Sequence, residues 1–363
     1  MFNNIYNRRK VLITGHTGFK GSWLALWLFK IGAEVIGYAL PPPTEPNHFE
    51  LLHADMISEI GDIRDAEKLK KVFKEYKPEI VFHLAAQPLV RLSYKDPVET
   101  FASNVMGTIN VFEASRESGS VHAIVNITSD KCYENREWVW GYREIDPLGG
   151  YDPYSASKGC SELITSCWRN SFFNPKGYGS IHQTLLASGR AGNVIGGGDW
   201  AVDRLIPDMM CAVTQNEKVK IRNPNASRPW QHVLEPLSGY LLLGQKLLEG
   251  RKEFAEAWNF GPFEDRNATV GEIAGQIKMS WPKIDYEIDT THNQPHEAGM
   301  LSLDCSKART KMQWKPVWNS NTAVEKTTLW YRAFYETKEV LSLDDINSYI
   351  ADAKSKHLSW VKE

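Results

Sequence analysis

Three short segments of this chain hold side chains whose types and spacing suit proton transfer beside a bound anion. In TSDKCY (residues 128–133), Asp130 and Lys131 place an acid beside a base directly after the apolar run AIVNI, where a strand would open into a loop. In YDPYSASK (151–158), Asp152 suits a helix cap and Pro153 the first helical position. Tyr154 and Lys158 then fall four apart on one face of the new helix. A phenol ionises near ~10 in water and a neighbouring ammonium favours the phenolate, so this pair could draw a proton from a sugar hydroxyl. In GHTGFKG (15–21), Gly15, Gly18 and Gly21 follow a strand and open a helix. Glycines there permit a tight turn and let backbone N–H groups approach a pyrophosphate at the helix amino end, where the dipole favours an anion. Each segment also has a plainer reading: a solvated turn, a chance helical pair, a glycine needed only for packing. Successive side chains at a strand end alternate faces, so Asp130 and Lys131 need not share a site.

The surrounding sequence supplies elements that could position these groups. KVLIT (10–14), EVIGYAL (34–40), EIVFHLAA (79–86) and HAIVNIT (122–128) are apolar throughout, as strands buried on both faces of a parallel sheet are. Helical stretches near 19–32, 65–76, 98–118 and 153–170 lie between or after them, and SIHQTLLASGRAGN (180–193) reads as a later strand running into a glycine-rich loop. This alternation predicts an α/β fold with a doubly wound parallel sheet of the Rossmann kind over 1–189. After about 190 the rhythm breaks into polar, Trp- and Pro-containing segments (RNPNASRPWQHV, AWNFGPFED, TTHNQPHEAG) around helices near 235–249 and 269–280. Residues 190–363 therefore read as a smaller, mixed substrate domain over the sheet's carboxyl edge, with some segments returning to the sheet. PPPTEP (41–46) reads as a loop after the second strand.

Bulk properties narrow the class. The chain has 363 residues, 42% hydrophobic and 24% charged, with a formal net charge of −2, which leaves no basic field for nucleic acid or an anionic membrane. Five scattered cysteines lack CxxC or Cys/His metal spacing and suit reduced thiols. With no apolar run near the ~20 residues of a membrane helix and no signal-peptide pattern, the expectation is a cytoplasmic protein without a bound metal.

GxxGxxG, HLAA (83–86), the helix bearing Asn104, the strand-end TSD and YxxxK occur in the order and spacing of the extended short-chain dehydrogenase/reductase family, which the chain resembles over nearly its whole length. More narrowly, GHTGFKGSWL, AAQPLVRLSY, NITSDKCYEN, GGYDPYS and RAGNVIGGGDW resemble that family's 4,6-dehydratases acting on CDP-glucose. The resemblance implies a nucleotide diphosphate-sugar substrate and a site assembled from these segments. Tyr154 would be the base for hydride removal, with Lys158 tuning it and holding the nicotinamide ribose. Ser129 would hydrogen-bond the carbon-4 oxygen, Asp130 would be the acid, and Lys131 stands where sister enzymes carry a glutamate base. Gly15, Thr17, Gly18, Phe19, Lys20, Gly21, Leu84, Ala85, Ala86, Asn104 and Thr128 would line the cofactor. Asp62 and Ile63, after a third strand, are candidates for the adenine edge, although Asp62 could equally cap a helix. Asn193 and Arg228 would hold the substrate diphosphate, with Arg91 and Arg204 as further candidates.

Two points stay open on sequence alone. VIGYALPPP offers no acid for the adenosine ribose, yet residues 31–63 contain no Lys or Arg for a 2′-phosphate, though Lys20 and Arg64 might reach one. NAD is the favoured cofactor. Lysine as a base must be neutral, and its ordinary pKa of about 10.4 imposes a handicap on the order of 4–5 kcal/mol at pH 7. A protonated Asp130 with a neutral Lys131 is self-consistent; an ammonium that stabilises an enolate or orients Asp130 is the rival. A 4-epimerase of the same fold needs no Asp-Lys pair, and a non-catalytic NAD-sensing regulator would keep only the cofactor site. Helices 98–118 and 153–170 resemble the pair through which the family dimerises, so a homodimer or homotetramer is expected.

Overall fold

Alternation within single strands builds two separate cores. Val11 and Ile13 of β1 (Lys10–Thr14) face one side while Leu12 faces the other, and β4 (Ile80–His83) and β5 (Ala123–Ile127) divide in the same way. The computed structural model describes residues 1–215, 217–221, 223–262, 268–289 and 300–362; the polar segment 290–299 and residues 263–265 of AWNFGPFED lie outside the described residues. With β2 (Glu34–Ala39), β3 (Ile57–Ile60), β6 (Leu185–Ala191) and β7 (Ala257–Phe260), the strands form one parallel sheet in the order β7-β6-β5-β4-β1-β2-β3. Strand order reverses between β1 and β4, which opens a crevice at their carboxyl ends.

Helices cover both faces. On one, α1 (Phe19–Lys30) and α5 (Leu234–Leu248) bury Trp23, Trp27, Leu237 and Leu241. On the other, α2 (Ala66–Tyr76) and α3 (Gly107–Ser118) bury Leu69, Phe73, Val111 and Phe112. The segment 190–363 is not wholly separate, since β7 pairs with β6 and α5 lies against the sheet. Three two-stranded pairs make up its mixed remainder: Val194–Ile195 with Gln231–His232, Ser227–Arg228 with Ala268–Thr269, and Val219–Ile221 with Tyr286–Ile288.

Three features depart from the sequence expectation. The helix expected over 98–118 is broken into Pro97–Phe101, a wide π turn at Ala102–Met106, and α3. Such a turn re-aims side chains, and buried Asn104 reaches Gln87 and Ser157 from it. The helix cap near 65 is Asp65, which accepts from Lys68 N, and not Asp62. Two C-terminal helices, α6 (Ser320–Thr337) and α7 (Ser342–Ser355), were not expected; they bury Trp330, Tyr331 and Tyr349 and bring Trp360 to stack on Phe2, ring centroids 5.2 Å apart. Most tryptophans belong to the core, whereas Trp140 is exposed. Among the described residues, no helix is long and apolar enough to cross a membrane, and no group of three His, Cys, Asp or Glu could hold a metal ion.

One buried carboxylate fastens this C-terminal layer. Glu235 of α5 accepts from Trp318 N at 2.7 Å, Val317 N at 2.8 Å and the Tyr349 hydroxyl at 2.7 Å. Glu235→Ala strands three buried donors, each costing roughly 1–3 kcal/mol. Denaturant unfolding is expected to show a loss of about 3 kcal/mol or more in stability.

Candidate functional site

The glycine loop turns where β1 ends. Gly15 has φ +79°, and a Cβ there would lie 2.8 Å from Ala85 N; a Cβ on Gly21 would lie 2.0 Å from Gly15 O. The loop therefore packs on itself and on the end of β4 as only glycine allows. Thr17 donates to Leu40 O at 2.9 Å and closes the loop onto β2. Gly18 caps α1 without any side-chain acceptor, so the helix amino end faces the crevice with its backbone donors. This cradle fits a pyrophosphate, and the residues present therefore fit a dinucleotide.

Nearby cations bear on which dinucleotide. Arg64 donates to both Asp62 carboxylate oxygens, to Oδ1 at 3.0 Å and to Oδ2 at 2.5 Å, and a further arm pairs with Glu99. The Arg64 guanidinium holds the Asp62 carboxyl below its usual range. Lys20 instead senses Arg204, Asp130 and Lys158, at the reacting end of the site. Arg64 is thus held by Asp62 and Glu99, and Lys20 lies among the charges of the reacting end, so neither is left for a 2′-phosphate. Ile63 is buried, packs against Gly107, and its carbonyl accepts from Asn110 Nδ2 at 3.0 Å.

Several residues assigned to the cofactor brace the site's walls. Asn104 accepts from Gln87 N at 2.8 Å and donates to Gln87 O at 3.1 Å and Ser157 Oγ at 2.8 Å. It fastens the loop after β4 to α4 (Pro153–Ser171). Leu84 N and Ala85 N donate to Thr14 O and Thr14 Oγ1, and Ala86 follows them in the same strand-end loop. The Thr128 hydroxyl donates to Glu162.

The structure brings Ser129, Asp130 and Tyr154 together, with Lys158 one helical step from Tyr154 and Lys131 beside Asp130 on the turn. Ser129 caps a one-turn 3₁₀ helix, Asp130–Cys132: its Oγ accepts from Lys131 N at 3.2 Å and donates to Asp130 Oδ1 at 2.9 Å. Asp130 is buried, and a Cβ on Gly192 would lie 2.9 Å from its Oδ2, so the RAGN loop covers it. Burial raises the Asp130 carboxyl, opposed by Lys131, Ser129, Lys20 and Arg228. Lys131 is half-buried, so of this pair Asp130 is the more desolvated. On α4, Asp152 caps at Ser155 N and Pro153 opens the helix, as the sequence indicated. Burial pushes the Tyr154 phenol up to about 12, with Ser129 opposing, and lowers the Lys158 ammonium to about 8 against Cys132 and Glu162. Lys158 is not among the groups that dominate Tyr154, so the phenolate stabilisation read from the sequence is outweighed by desolvation.

The substrate candidates divide. Arg204 pairs with Asp199 at 2.7 Å and senses Tyr154, and Arg228 donates to Ser227 O and senses Asp130. Arg91 reaches Asp203 at 3.2 Å, tying the helix Val90–Lys95 to the loop before Arg204. Asn193 lies between β6 and Val194–Ile195, and its carbonyl accepts from Gln231 N. Sequence reasoning missed Glu162, Arg190 and Tyr133, which lie buried beneath the site. Glu162 was within reach, since it continues the Tyr154–Lys158 face by one more step of four.

The profile of the GDP-mannose 4,6 dehydratase family matches residues 12–327. A CDP-glucose 4,6-dehydratase of Salmonella typhimurium is 53% identical over 352 residues, covering 96% of this chain and 98% of that protein. Among solved structures, a dTDP-glucose 4,6-dehydratase from Streptomyces venezuelae with NAD and TYD bound superposes with a TM-score of 0.73 at 23% identity, covering 89% of this chain and 97% of that one. A UDP-glucose 4-epimerase from Thermotoga maritima does so with 0.75 at 22%, covering 90% and 100%. These two structures share the fold.

Lys158 and Lys20 are both lowered by burial to about 8, so each loses its proton as pH rises through that value. The profile of kcat/KM against pH is expected to fall with a midpoint near 8. Lys20→Arg, which stays charged, should keep that limb if Lys158 sets it; loss of the limb would reassign it to Lys20.

Proposed function

This chain belongs to the GDP-mannose 4,6 dehydratase family, and from that premise we propose that it is an NAD-dependent hydro-lyase converting CDP-D-glucose to CDP-4-keto-6-deoxy-D-glucose. The observation that carries this reading is near-full-length likeness to a CDP-glucose 4,6-dehydratase, and the geometry fits it: Asp130 is buried beside Ser129 and Tyr154. An epimerase needs no such acid.

NAD, when bound, would supply a reversible acceptor for the hydride that leaves carbon 4 and ends on carbon 6. The loop from Gly15 to Gly21 and the amino end of α1 would hold its pyrophosphate. Ser129 holds the carbon-4 oxygen while Tyr154 takes that hydroxyl's proton, and Lys158, on the same face of α4, would hold the nicotinamide ribose. The new ketone acidifies the proton on carbon 5. Lys131 removes that proton, its bonding pair forms the carbon 5–carbon 6 double bond, and Asp130 protonates the departing carbon-6 hydroxyl as water. Burial raises the Asp130 carboxyl and so favours the protonated form that an acid requires. Asn193, Arg228 and Arg204 would hold the diphosphate, with Lys20 as a further cation; the nearness of Arg204 to Tyr154 and of Arg228 and Lys20 to Asp130 supports this. Exposed Val98, Met106, Leu163 and Phe172 give the helices at 97–118 and α4 an apolar outer face, which supports self-association as a dimer or tetramer.

Incubation with CDP-glucose in deuterated water is expected to yield a 4-keto-6-deoxy sugar with deuterium at carbon 5; recovery of a hexose would overturn the reading. Turnover of CDP-, dTDP-, GDP- and UDP-glucose under the same conditions is expected to favour CDP. Lys131→Ala is expected to slow carbon-5 hydrogen exchange by about 100-fold or more, and exchange at the wild-type rate would place the base elsewhere.

A further inference from the structure

A buried ion pair lies directly beneath the catalytic turn, and no step of the proposed reaction uses it. Glu162 of α4 and Arg190 of β6 meet at 2.8 Å with side chains 2% and 3% exposed. Taking two charges out of water costs several kcal/mol each before their attraction and hydrogen bonds offset it. Such a pair persists where its geometry over-determines something else.

Its hydrogen bonds show what is held. Glu162 accepts from the Thr128 hydroxyl at 2.5 Å through one oxygen, and from Ser188 Oγ and Arg190 Nη2, both at 2.8 Å, through the other. Arg190 Nη1 donates to the Tyr133 hydroxyl at 2.7 Å, and its guanidinium carbon lies 4.9 Å from the Tyr133 ring centroid. The Tyr133 hydroxyl passes its own proton to Asn259 Oδ1 of β7 at 2.8 Å. Thr128 and Tyr133 immediately flank Ser129, Asp130, Lys131 and Cys132. Both ends of the turn are therefore tied to one ion pair, and Glu162 stands four residues beyond Lys158 on the helix that also carries Tyr154. Apart from these ties, the turn is pinned by Thr128 N to Gly189 O and by Gly149 N to Cys132 O, both main-chain bonds.

We propose that Tyr133, Arg190 and Glu162 are positioning residues for the elimination, clamping the turn so that Asp130 and Lys131 keep register with Tyr154. The proposal rests on the dehydratase reading above for its kinetic consequence. It weighs on the two halves of the reaction unequally. Oxidation at carbon 4 uses Tyr154 and Lys158 on α4, with Ser129 at the start of the turn next to the main-chain bond from Thr128 N to Gly189 O, whereas loss of water uses Asp130 and Lys131, both within the turn. Loosening the turn should slow the second half more than the first. A displacement on the order of 1 Å suffices for a ~100-fold effect.

Tyr133→Phe is the cleanest cut, because it deletes both hydroxyl bonds and keeps the ring stacked on Tyr142 at 5.2 Å. In this variant, dehydration and carbon-5 exchange are expected to fall by about 10- to 100-fold, with KM little changed and carbon-4 oxidation falling by a clearly smaller factor. The isotope effect of carbon-4 deuterated substrate on kcat should shrink accordingly. Arg190→Lys, which keeps the charge but lacks the second arm, is expected to give the same split. An equal loss in both halves together with a lowered Tm, or no loss in either, would overturn the proposal. Amide hydrogen exchange gives a readout that needs no turnover: residues 129–133 should exchange faster in Tyr133→Phe while α4 stays protected. Unchanged exchange at the turn would reject the clamp, and a wild-type enzyme inert toward CDP-glucose would instead reject the substrate reading.

Discussion

Desolvation at the carboxyl edge of the parallel sheet governs this site more than any single contact. The same burial raises Asp130 and Tyr154 and lowers Lys158 and Lys20, so each of the four groups is driven toward its neutral form. Elsewhere on the surface, charged pairs such as Arg251 with Glu253 sit in water and serve no such end. What makes the edge dry is architecture. The glycine loop closes on Ala85, the RAGN loop closes on Asp130, and α4 is drawn in through Asn104. Acids that hold protons and bases that release them near neutrality follow from that enclosure.

The enclosure also explains how one scaffold serves different reactions. The solved epimerase and dehydratase structures overlay this chain about equally well, so the sheet and its helices do not distinguish them. The difference must lie in which side chains the strand-end turns present. Here the turn after β5 presents a buried carboxyl beside a half-buried amine, with Ser129 bridging toward Tyr154.

Much of this was legible in the sequence, for identifiable reasons. Strands buried on both faces cannot hide their composition, which is why β1, β2, β4 and β5 were readable to within a few residues. Asp152 and Pro153 announced α4 through local capping chemistry. What escaped depends on partners distant in the chain. Glu162 and Arg190 look like ordinary surface charges until β6 is laid beside β5, and the π turn at 102–106 exists because Asn104 is pulled toward Gln87 and Ser157. α6 and α7 carry mixed composition and acquire an apolar purpose only in place, α6 against the helix Val270–Ser280 and α7 against α1. The pKa of Tyr154 failed for a related reason: the sequence shows the lysine nearby but not the depth at which the phenol lies.

The stacking of Phe2 on Trp360 has a bearing on how the molecule is made. One edge of the core around Trp27 is covered only when Trp360 arrives. At ~5–20 residues per second, synthesis leaves that edge open for tens of seconds while the first strands are already outside the ribosome. β7 likewise joins β6 late, after about seventy intervening residues. The apolar surface of α1 is thus a natural target for a holding chaperone during translation, and the last helices act as the event that releases it.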